Sequence, residues 1–374
     1  MHKLGIVDHV GVKSGMDIYD ISLANQLALS LQVYILSNFK NSNDINTKVT
    51  LEVSFNLEED GKSPFKKMLY FFKGFLKSFW FLKKKGCKWI ILHSFSFEHK
   101  DLVIILLSKI LGFKLLLIVH DVSGFANKDS NLLKKIILKK LAYKVLVHNE
   151  FSKQHLLSDY SISSKIVTIR HGGYINFINA SINKKKALSL LNLNHSFKYI
   201  LFFGQIKEVK GLDLLIRAFG EVSNNKVKLI IAGKPWKDDF SKYENLIHEY
   251  GLSEKVILFK RFIPDNEKDL LFTVSHLVVI PYKKIFQSGV LLTALSYPSL
   301  VLCSDLEPNK EIIQNNYNGF LFKSESISSL SSMLNSILNE DSQKIVSIKK
   351  NALKTVKTEY SWDYASKKIL NIFE

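Results

Sequence analysis

Short apolar runs rich in β-branched residues recur at 4–7, 33–36, 49–55, 89–93, 114–119, 144–148 and 166–169, with helix-length segments between them. Runs of this length read as buried strands, and their alternation with helices is the signature of a doubly wound parallel sheet. The pattern lapses around 176–198, where Asn176, Asn179, Ser181, Asn183 and Lys184 to Lys186 cluster. It resumes at 199–203, 227–232, 256–259, 277–280 and 299–302. The chain thus reads as α/β: two Rossmann-like domains, 1–175 and 180–358, facing a central cleft. With no fixed-period repeat and no low-complexity tract, solenoid and propeller readings have no support in the sequence. The most nearly continuous apolar stretch, 102–119, holds Lys109, Lys114 and a break at Gly112 and Phe113. Each lysine costs about 2.5–3.5 kcal/mol near a bilayer centre. A buried helix followed by a strand is predicted there rather than a membrane span.

Composition narrows the class. With 374 residues, 47% of them apolar, and only 17 Gly and 6 Pro, the chain is neither disordered nor collagen-like. Cys87 and Cys303 lie far apart with no C-x-x-C, which excludes a disulfide framework and a zinc ribbon and points to a reducing compartment. The first residues reach an acid at Asp8 before an apolar core could form, which is unlike a secretory signal. A cytoplasmic protein is expected.

The net charge of +18 is unevenly spread: residues 61–150 carry 18 Lys and Arg against 5 acids, and 181–374 carry 27 against 20. Much of the excess falls in the acid-free segment 62–85. There Phe65, Met68, Leu69, Phe72, Phe75, Leu76, Phe79 and Leu82 follow helical spacing and predict one core-facing stripe. Tyr70, Phe71, Trp80 and Phe81 lie outside it among Lys66, Lys67, Lys73, Lys77 and Lys84. Aromatics interleaved with lysines suit a lipid headgroup layer, where each lysine contributes about 1 kcal/mol beside an anionic leaflet. Lys134, Lys135, Lys139 and Lys140 add to the basic surface. A core helix with a solvated basic face also fits the pattern. An RNA-binding surface lacks any accompanying nucleic-acid module.

Open α/β sheets bind ligands beyond the carboxyl ends of their strands, so chemistry is sought after each apolar run. After the first run, loop 8–15 carries Gly11 and Gly15, which either admit a ligand to the backbone or simply shape a βα turn. After 199–203, Gly204 ends the strand, Lys207 and Lys210 follow, and Gly211 opens an amphipathic helix. An anion there would meet free N–H groups, the positive end of the helix dipole and two ammonium groups. On spacing alone, a solvated loop with surface lysines fits equally. After 277–280, Lys283 and Lys284 precede Ser288, Gly289 and Val290 at a second helix start. Two such sites in one domain suit a diphosphate. Neither matches the P-loop or the dinucleotide fingerprint.

These residues, with Gly233, Lys234, Glu311, Asn318, Gly319, Tyr360 and Trp362 in order, resemble the bacterial family 4 glycosyltransferases of the GT-B fold. The resemblance implies that a C-terminal helix, about 360–374, packs back on the first domain. It implies a donor diphosphate held by Lys207, Lys210, Gly211, Ser288, Gly289 and Val290, with Thr293, Arg261 and Phe262 on the ribose and base side. His120, after the strand 114–119, is similar to the family's cleft-facing histidine near the sugar, and His171 to Gly173 mark a candidate hinge; His148 and His9 are weaker candidates. Two departures stand out. Gln205 occupies the place of the family's diphosphate-binding Arg, with Lys207 offering a relocated charge. Ile285 and Thr293 stand where the family has its Glu-x7-Glu pair. Threonine cannot make a bidentate carboxylate contact to two ribose hydroxyls.

The resemblance implies a hexosyl-type, nucleotide-sugar-dependent and retaining enzyme, with no metal or cofactor. Its acceptor is expected to be a lipid-linked saccharide in bacterial O-antigen, capsule or exopolysaccharide synthesis. Lys66, Lys67, Phe71, Lys73, Lys77 and Trp80 are the expected contacts to an anionic membrane, making the protein peripheral on the inner face of the cell membrane. The alternative is a non-catalytic nucleotide-sugar or anionic-lipid binding protein on the same fold.

Overall fold

Parallel pairing dominates both halves of the chain. The computed structural model describes residues 2–12, 15–39, 45–55, 63–122, 131–179, 181–236 and 239–373. Lys13 and Ser14 of the first glycine loop and Lys62 at the start of the basic segment lie outside them. The described residues divide into two compact units: Met1–Gly172 with Ser361–Glu374, and Gly173–Tyr360.

The first unit holds β1 (Lys3–Val7), β2 (Gln32–Ser37), β3 (Val49–Val53), β4 (Trp89–Ser94), β5 (Lys114–Val119), β6 (Lys144–Val147) and β7 (Ile166–Thr168). They lie in the order β3-β2-β1-β4-β5-β6-β7, all parallel. The second holds β8 (Lys198–Phe203), β9 (Val227–Ala232), β10 (Val256–Phe259), β11 (Leu277–Ile280), β12 (Leu300–Ser304) and β13 (Phe320–Phe322), in the parallel order β10-β9-β8-β11-β12-β13. Strands such as β5, with Leu115 to Val119 all buried, are apolar on both faces because helices cover both sides of a parallel sheet. In each sheet the strand order reverses at one place, between β1 and β4 and between β8 and β11. Those are the points where an open α/β sheet leaves a crevice at its carboxyl rim.

Helix α1 (Met16–Leu27) follows β1. The helix Trp362–Leu370 packs on it, with Ser361 accepting a hydrogen bond from the Tyr364 N–H as its cap. Its anchor is Trp362, whose ring meets Tyr19 edge-on at 4.8 Å. The indole also lies against the bare backbone of Gly172, where a Cβ would stand 2.3 Å from its Cδ2.

Helix α2 (Pro64–Lys84) starts at Ser63, whose hydroxyl accepts from the Lys66 N–H, with Pro64 in the first turn. Its buried face differs from the predicted stripe. Phe75, Phe79 and Leu82 are buried, but so are Gly74 and Ser78, while Phe65, Met68, Leu69 and Leu76 are exposed. The small residues decide this: a Cβ on Gly74 would overlap the Phe55 ring at 2.3 Å, so the helix presses its Gly74–Ser78 side inward and rolls the apolar flank out. Phe71, expected on the lipid side, instead packs edge-on against His9 at 5.0 Å and Phe75 at 4.9 Å. The ammonium of Lys77 is held by the Val53 carbonyl and by Glu52 at 3.1 Å. The helix expected to be buried in 102–119, His99–Ile110, is only half covered, with Val103 and Ile110 exposed.

Removing a large buried aromatic side chain costs about 3–5 kcal/mol. Trp362→Ala is expected to lower the unfolding free energy of the first unit, measured by urea titration, by an amount in that range; an unchanged value would show that the closing helix adds nothing to the unit's stability.

Candidate functional site

Each unit gathers its polar groups at the reversal point of its own sheet. In the second unit, the loop after β8 and the loop after β11 meet there. The Lys283 N–H donates to the Val209 carbonyl at 2.9 Å. Gly211 has φ +64° and lies so close to the other loop that a Cβ would fall 1.9 Å from the Pro281 carbonyl oxygen. Only glycine tolerates both demands at once. Gly211 is also the N-cap of the helix Leu212–Gly220 and caps it with no side chain. The first-turn N–H groups therefore have no side-chain cap partner, at the positive end of the helix dipole.

The lysines are preorganised rather than loose. Lys210 Nζ sits 3.7 Å from the centre of the Tyr282 ring, and Lys207 Nζ sits 4.2 Å from that of Trp236. Lys283 is committed to Asp213 at 2.9 Å, which directs it along the helix flank. Across the crevice, buried Ser288 caps the helix Gly289–Ser296 by accepting from the Leu291 N–H at 3.2 Å. Gly289 stands where a Cβ would approach the Tyr174 hydroxyl at 3.3 Å, and Val290 packs at 3.2 Å from the place of a Gly204 Cβ. The amide nitrogen of Gln287 is buried without a partner among the described residues, a spare donor that sequence reading passed over. Thr293 donates its hydroxyl hydrogen to the Gly289 carbonyl at 2.8 Å, so only its oxygen lone pairs remain for a ligand. Arg261, at the end of β10, is clamped by Glu267 with two contacts of 2.6 Å, and the neighbouring Phe262 is exposed.

In the first unit, Asp8 at the end of β1 accepts from the N–H groups of Val10 and Gly11 at 2.9 and 2.7 Å. Asn38 closes the same loop, accepting from the Val12 N–H at 3.2 Å and donating to the Val10 carbonyl at 3.1 Å. Gly11, with φ +55°, fits because a Cβ would overlap the Asn38 amide. Gly15, with φ +74°, opens α1 with no side-chain cap and nothing within 4 Å of the place of a Cβ among the described residues.

Four adjacent strands then contribute one histidine each at their carboxyl ends: His93 in β4, His120 after β5, His148 after β6 and His171 after β7. Tyr19 of α1 meets all four rings, at 5.5, 5.6, 5.6 and 5.0 Å. His120 stacks flat on Phe95 at 4.4 Å. Burial opposes the charged imidazolium throughout this row. His148, with His171 beside it, is lowered to about 3, and His171 to about 4. His120 is lowered well below the usual range by burial and by His148, His93 and His171. The rings are therefore neutral. His148 and His171 each point Nδ1 at a backbone carbonyl, Ile169 at 3.0 Å and Gly172 at 2.7 Å, which fixes those nitrogens as N–H donors. Burial and the neighbouring Asp20 raise Asp8 to about 7, and burial raises Asp20 well above the carboxylate range. Of this group sequence reading singled out His120, set His171 at a hinge and ranked His148 low; Tyr19, Asp20 and His93 went unnoticed. The available signal was a histidine at or just past every strand end from β4 to β7.

Residues 183–355 match the family model described as glycosyl transferases group 1. An uncharacterized glycosyltransferase of Methanocaldococcus jannaschii is 29% identical over 178 residues, 47% of this chain and 45% of that one, so the match spans less than half of that relative. The N-acetylgalactosamine-N,N'-diacetylbacillosaminyl-diphospho-undecaprenol 4-alpha-N-acetylgalactosaminyltransferase of Campylobacter jejuni is 26% identical over 95% of this chain and 94% of its own. Among solved structures, Anabaena HepE in complex with UDP and glucose superposes with a TM-score of 0.78 at 18% identity, covering 100% of this chain and 99% of that one. Sucrose-phosphate synthase from Thermosynechococcus elongatus gives 0.79 at 16% identity, covering 100% and 98%. The chain has the GT-B fold, and most of its second unit matches the glycosyl transferases of group 1.

Proposed function

We propose that the chain is a glycosyltransferase that moves a sugar from a nucleotide-sugar donor to a lipid-linked saccharide at the cytoplasmic face of the membrane, in bacterial surface polysaccharide synthesis. The observation that carries this reading is the β8/β11 crevice. There Lys207 and Lys210 are held over aromatic rings beside the glycine-capped helix start at Gly211, opposite the helix start at Ser288 and Gly289. Glycosyl transfer needs a departing nucleoside diphosphate to be stabilised as its bond to the sugar breaks. Fixed ammonium groups and N–H donors do this without reorganising, each worth about 2.7–4 kcal/mol by analogy with oxyanion-hole donors. In this reading the protein's own cations carry the leaving-group charge, no metal takes part, and the sugar transfers with retention. Ser288, Gly289 and Val290 face the diphosphate, and Thr293, Arg261 and Phe262 lie toward the ribose and base. The lipid-linked acceptor is supported by the printed name of the Campylobacter relative, whose substrate is an undecaprenol diphosphate.

The basic surface supports attachment to an anionic leaflet. No described helix is long and apolar enough to cross a membrane. On α2, exposed Phe65, Met68, Leu69, Leu76 and Trp80 flank Lys66, Lys67 and Lys73, with Lys84 lying over the Trp80 ring at 3.6 Å. An apolar strip bordered by ammonium groups fits a headgroup layer, with the rings inserted and the lysines on lipid phosphates. Phe71 and Lys77, already engaged within the unit, drop out of this surface.

A non-catalytic binder on the same fold is the second reading, favoured by Ile285 and Thr293 in place of a carboxylate pair, with Ile285 buried. Turnover separates the two. Incubation with a panel of nucleotide-sugars and a polyprenyl-diphosphate saccharide is expected to release one nucleoside diphosphate; no consumption of any donor would leave only the binder. Lys210→Ala is expected to lower kcat about 10²–10³-fold. Near-normal activity in that variant would remove the lysine from the diphosphate site. For the membrane surface, Lys66→Glu, Lys67→Glu and Lys73→Glu together are expected to release the protein from vesicles containing anionic lipid in a flotation assay, and unchanged flotation would refute the surface.

A further inference from the structure

A cavity of about 320 Å³ opens in the second unit at the amino ends of β11 and β12, the rim opposite the β8/β11 crevice. Three elements converge on it: the end of the helix Asp265–Val274, the turn Tyr297–Ser299 that leads from the helix Gly289–Ser296 into β12, and the helix Ser342–Thr358. One wall is aromatic. Phe272 stacks on Tyr297 at 4.9 Å with the ring planes 15° apart, and the Tyr297 hydroxyl is taken up by Asp269.

Three of the polar groups that line the cavity are donors with nothing to donate to among the described residues. Lys349 makes no hydrogen bond and no ion pair, and Ser299, only 3% exposed, makes none through its hydroxyl. Asn179 accepts through Oδ1 from the Ser181 N–H at 3.1 Å and from its hydroxyl at 2.6 Å, which leaves the amide N–H groups spare. The Ser275 hydroxyl, in contrast, is spent on the Leu271 carbonyl. Next to it in the chain, His276 has a buried Nε2 without a partner. Buried donors left unmatched are rare, because they have given up water for nothing.

The surroundings are positive. Burial, and then Lys184, push the Lys349 ammonium below its ordinary range. Burial lowers His276 to about 4, with Lys198, Lys349 and Lys184 adding to the effect. The two helices that end at the cavity bring about one negative charge between them at their carbonyl ends. Lys198 is spent on the Leu338 carbonyl, but Lys184 and Lys349 alone outweigh that.

We propose that this cavity binds a small phosphate monoester, with its terminal oxygens on Lys349, Ser299 and Asn179 and its apolar body on the Phe272–Tyr297 wall. Three donors match three acceptor oxygens, and a monoester carries more negative charge than a carboxylate does. The site is separate from the diphosphate crevice. The two lie at opposite ends of β11, and the helix Gly289–Ser296 runs between them with its Ser288 end at the crevice and its Tyr297 end at the cavity. The inference does not depend on the glycosyl-transfer reading, because its test measures binding and not turnover.

The test is calorimetric titration of the whole chain with phenyl phosphate, against inorganic phosphate, phenol and benzoate as comparators. Phenyl phosphate is expected to bind at least about tenfold more tightly than each of the three. In ¹⁵N-histidine NMR of the wild-type protein its addition is expected to shift the His276 ring signals to saturation. Lys349→Gln and Ser299→Ala are each expected to weaken binding about tenfold or more, since each removes a hydrogen bond to a charged group. Lys210→Ala is expected to leave the affinity within about twofold. No binding, equal affinity for any comparator, or unmoved His276 signals would overturn the site, and these wild-type results decide the matter on their own if a variant does not fold. Binding lost in Lys210→Ala but kept in Lys349→Gln would place the anion in the crevice and overturn the site as well.

Discussion

Parallel pairing sends the carboxyl end of every strand in a sheet to the same rim, and here helices cover both faces of each sheet, leaving that rim for polar chemistry. The order of strands then selects one place along it, because the loops turn opposite ways where the order reverses. In the second unit this brings together the β8 and β11 loops, and in the first the β1 loop and the end of β4. The remaining architecture serves those two places. Gly211 lets one loop press on the Pro281 carbonyl, Tyr282 and Trp236 give the lysines fixed seats, and Tyr19 packs the four imidazoles into one row.

The two rims differ in electrostatic character, and the difference follows from burial. In the second unit Lys207 and Lys210 sit over ring faces, whose quadrupole attracts an ammonium group. In the first unit titratable groups are buried, so charge is suppressed: burial opposes the charged imidazoles and pushes Asp8 and Asp20 toward their protonated forms. In the proposed reading, the fixed lysines of the second unit take the negative charge of the leaving group.

Much of this was legible in the sequence. The apolar runs mark every strand but β13, and the lapse around 176–198 separates the two sheets, because strands buried on both faces leave an unambiguous hydrophobic signal. Gly211, Ser288 and Gly289 could be placed at helix starts from their position after strands. What stayed hidden depends on contacts between distant segments. The burial of α2 turns on Gly74 meeting Phe55, and a helix apolar around more than half its circumference does not announce which stripe the core covers. The histidine row was likewise present as single residues, but only the side-by-side registration of β4 to β7 makes it one group. Lys77 reads as a free surface charge until β3 is seen beside it with Glu52.

The central claim is that the β8/β11 crevice recognises a diphosphate. Calorimetric titration of nucleoside diphosphates against the matching monophosphates addresses it most directly. The account predicts binding of one diphosphate per chain, at least about tenfold tighter than the monophosphate and weakening as salt screens the partly exposed lysines. Equal affinity for the two, or binding of the diphosphate that salt does not touch, would contradict it.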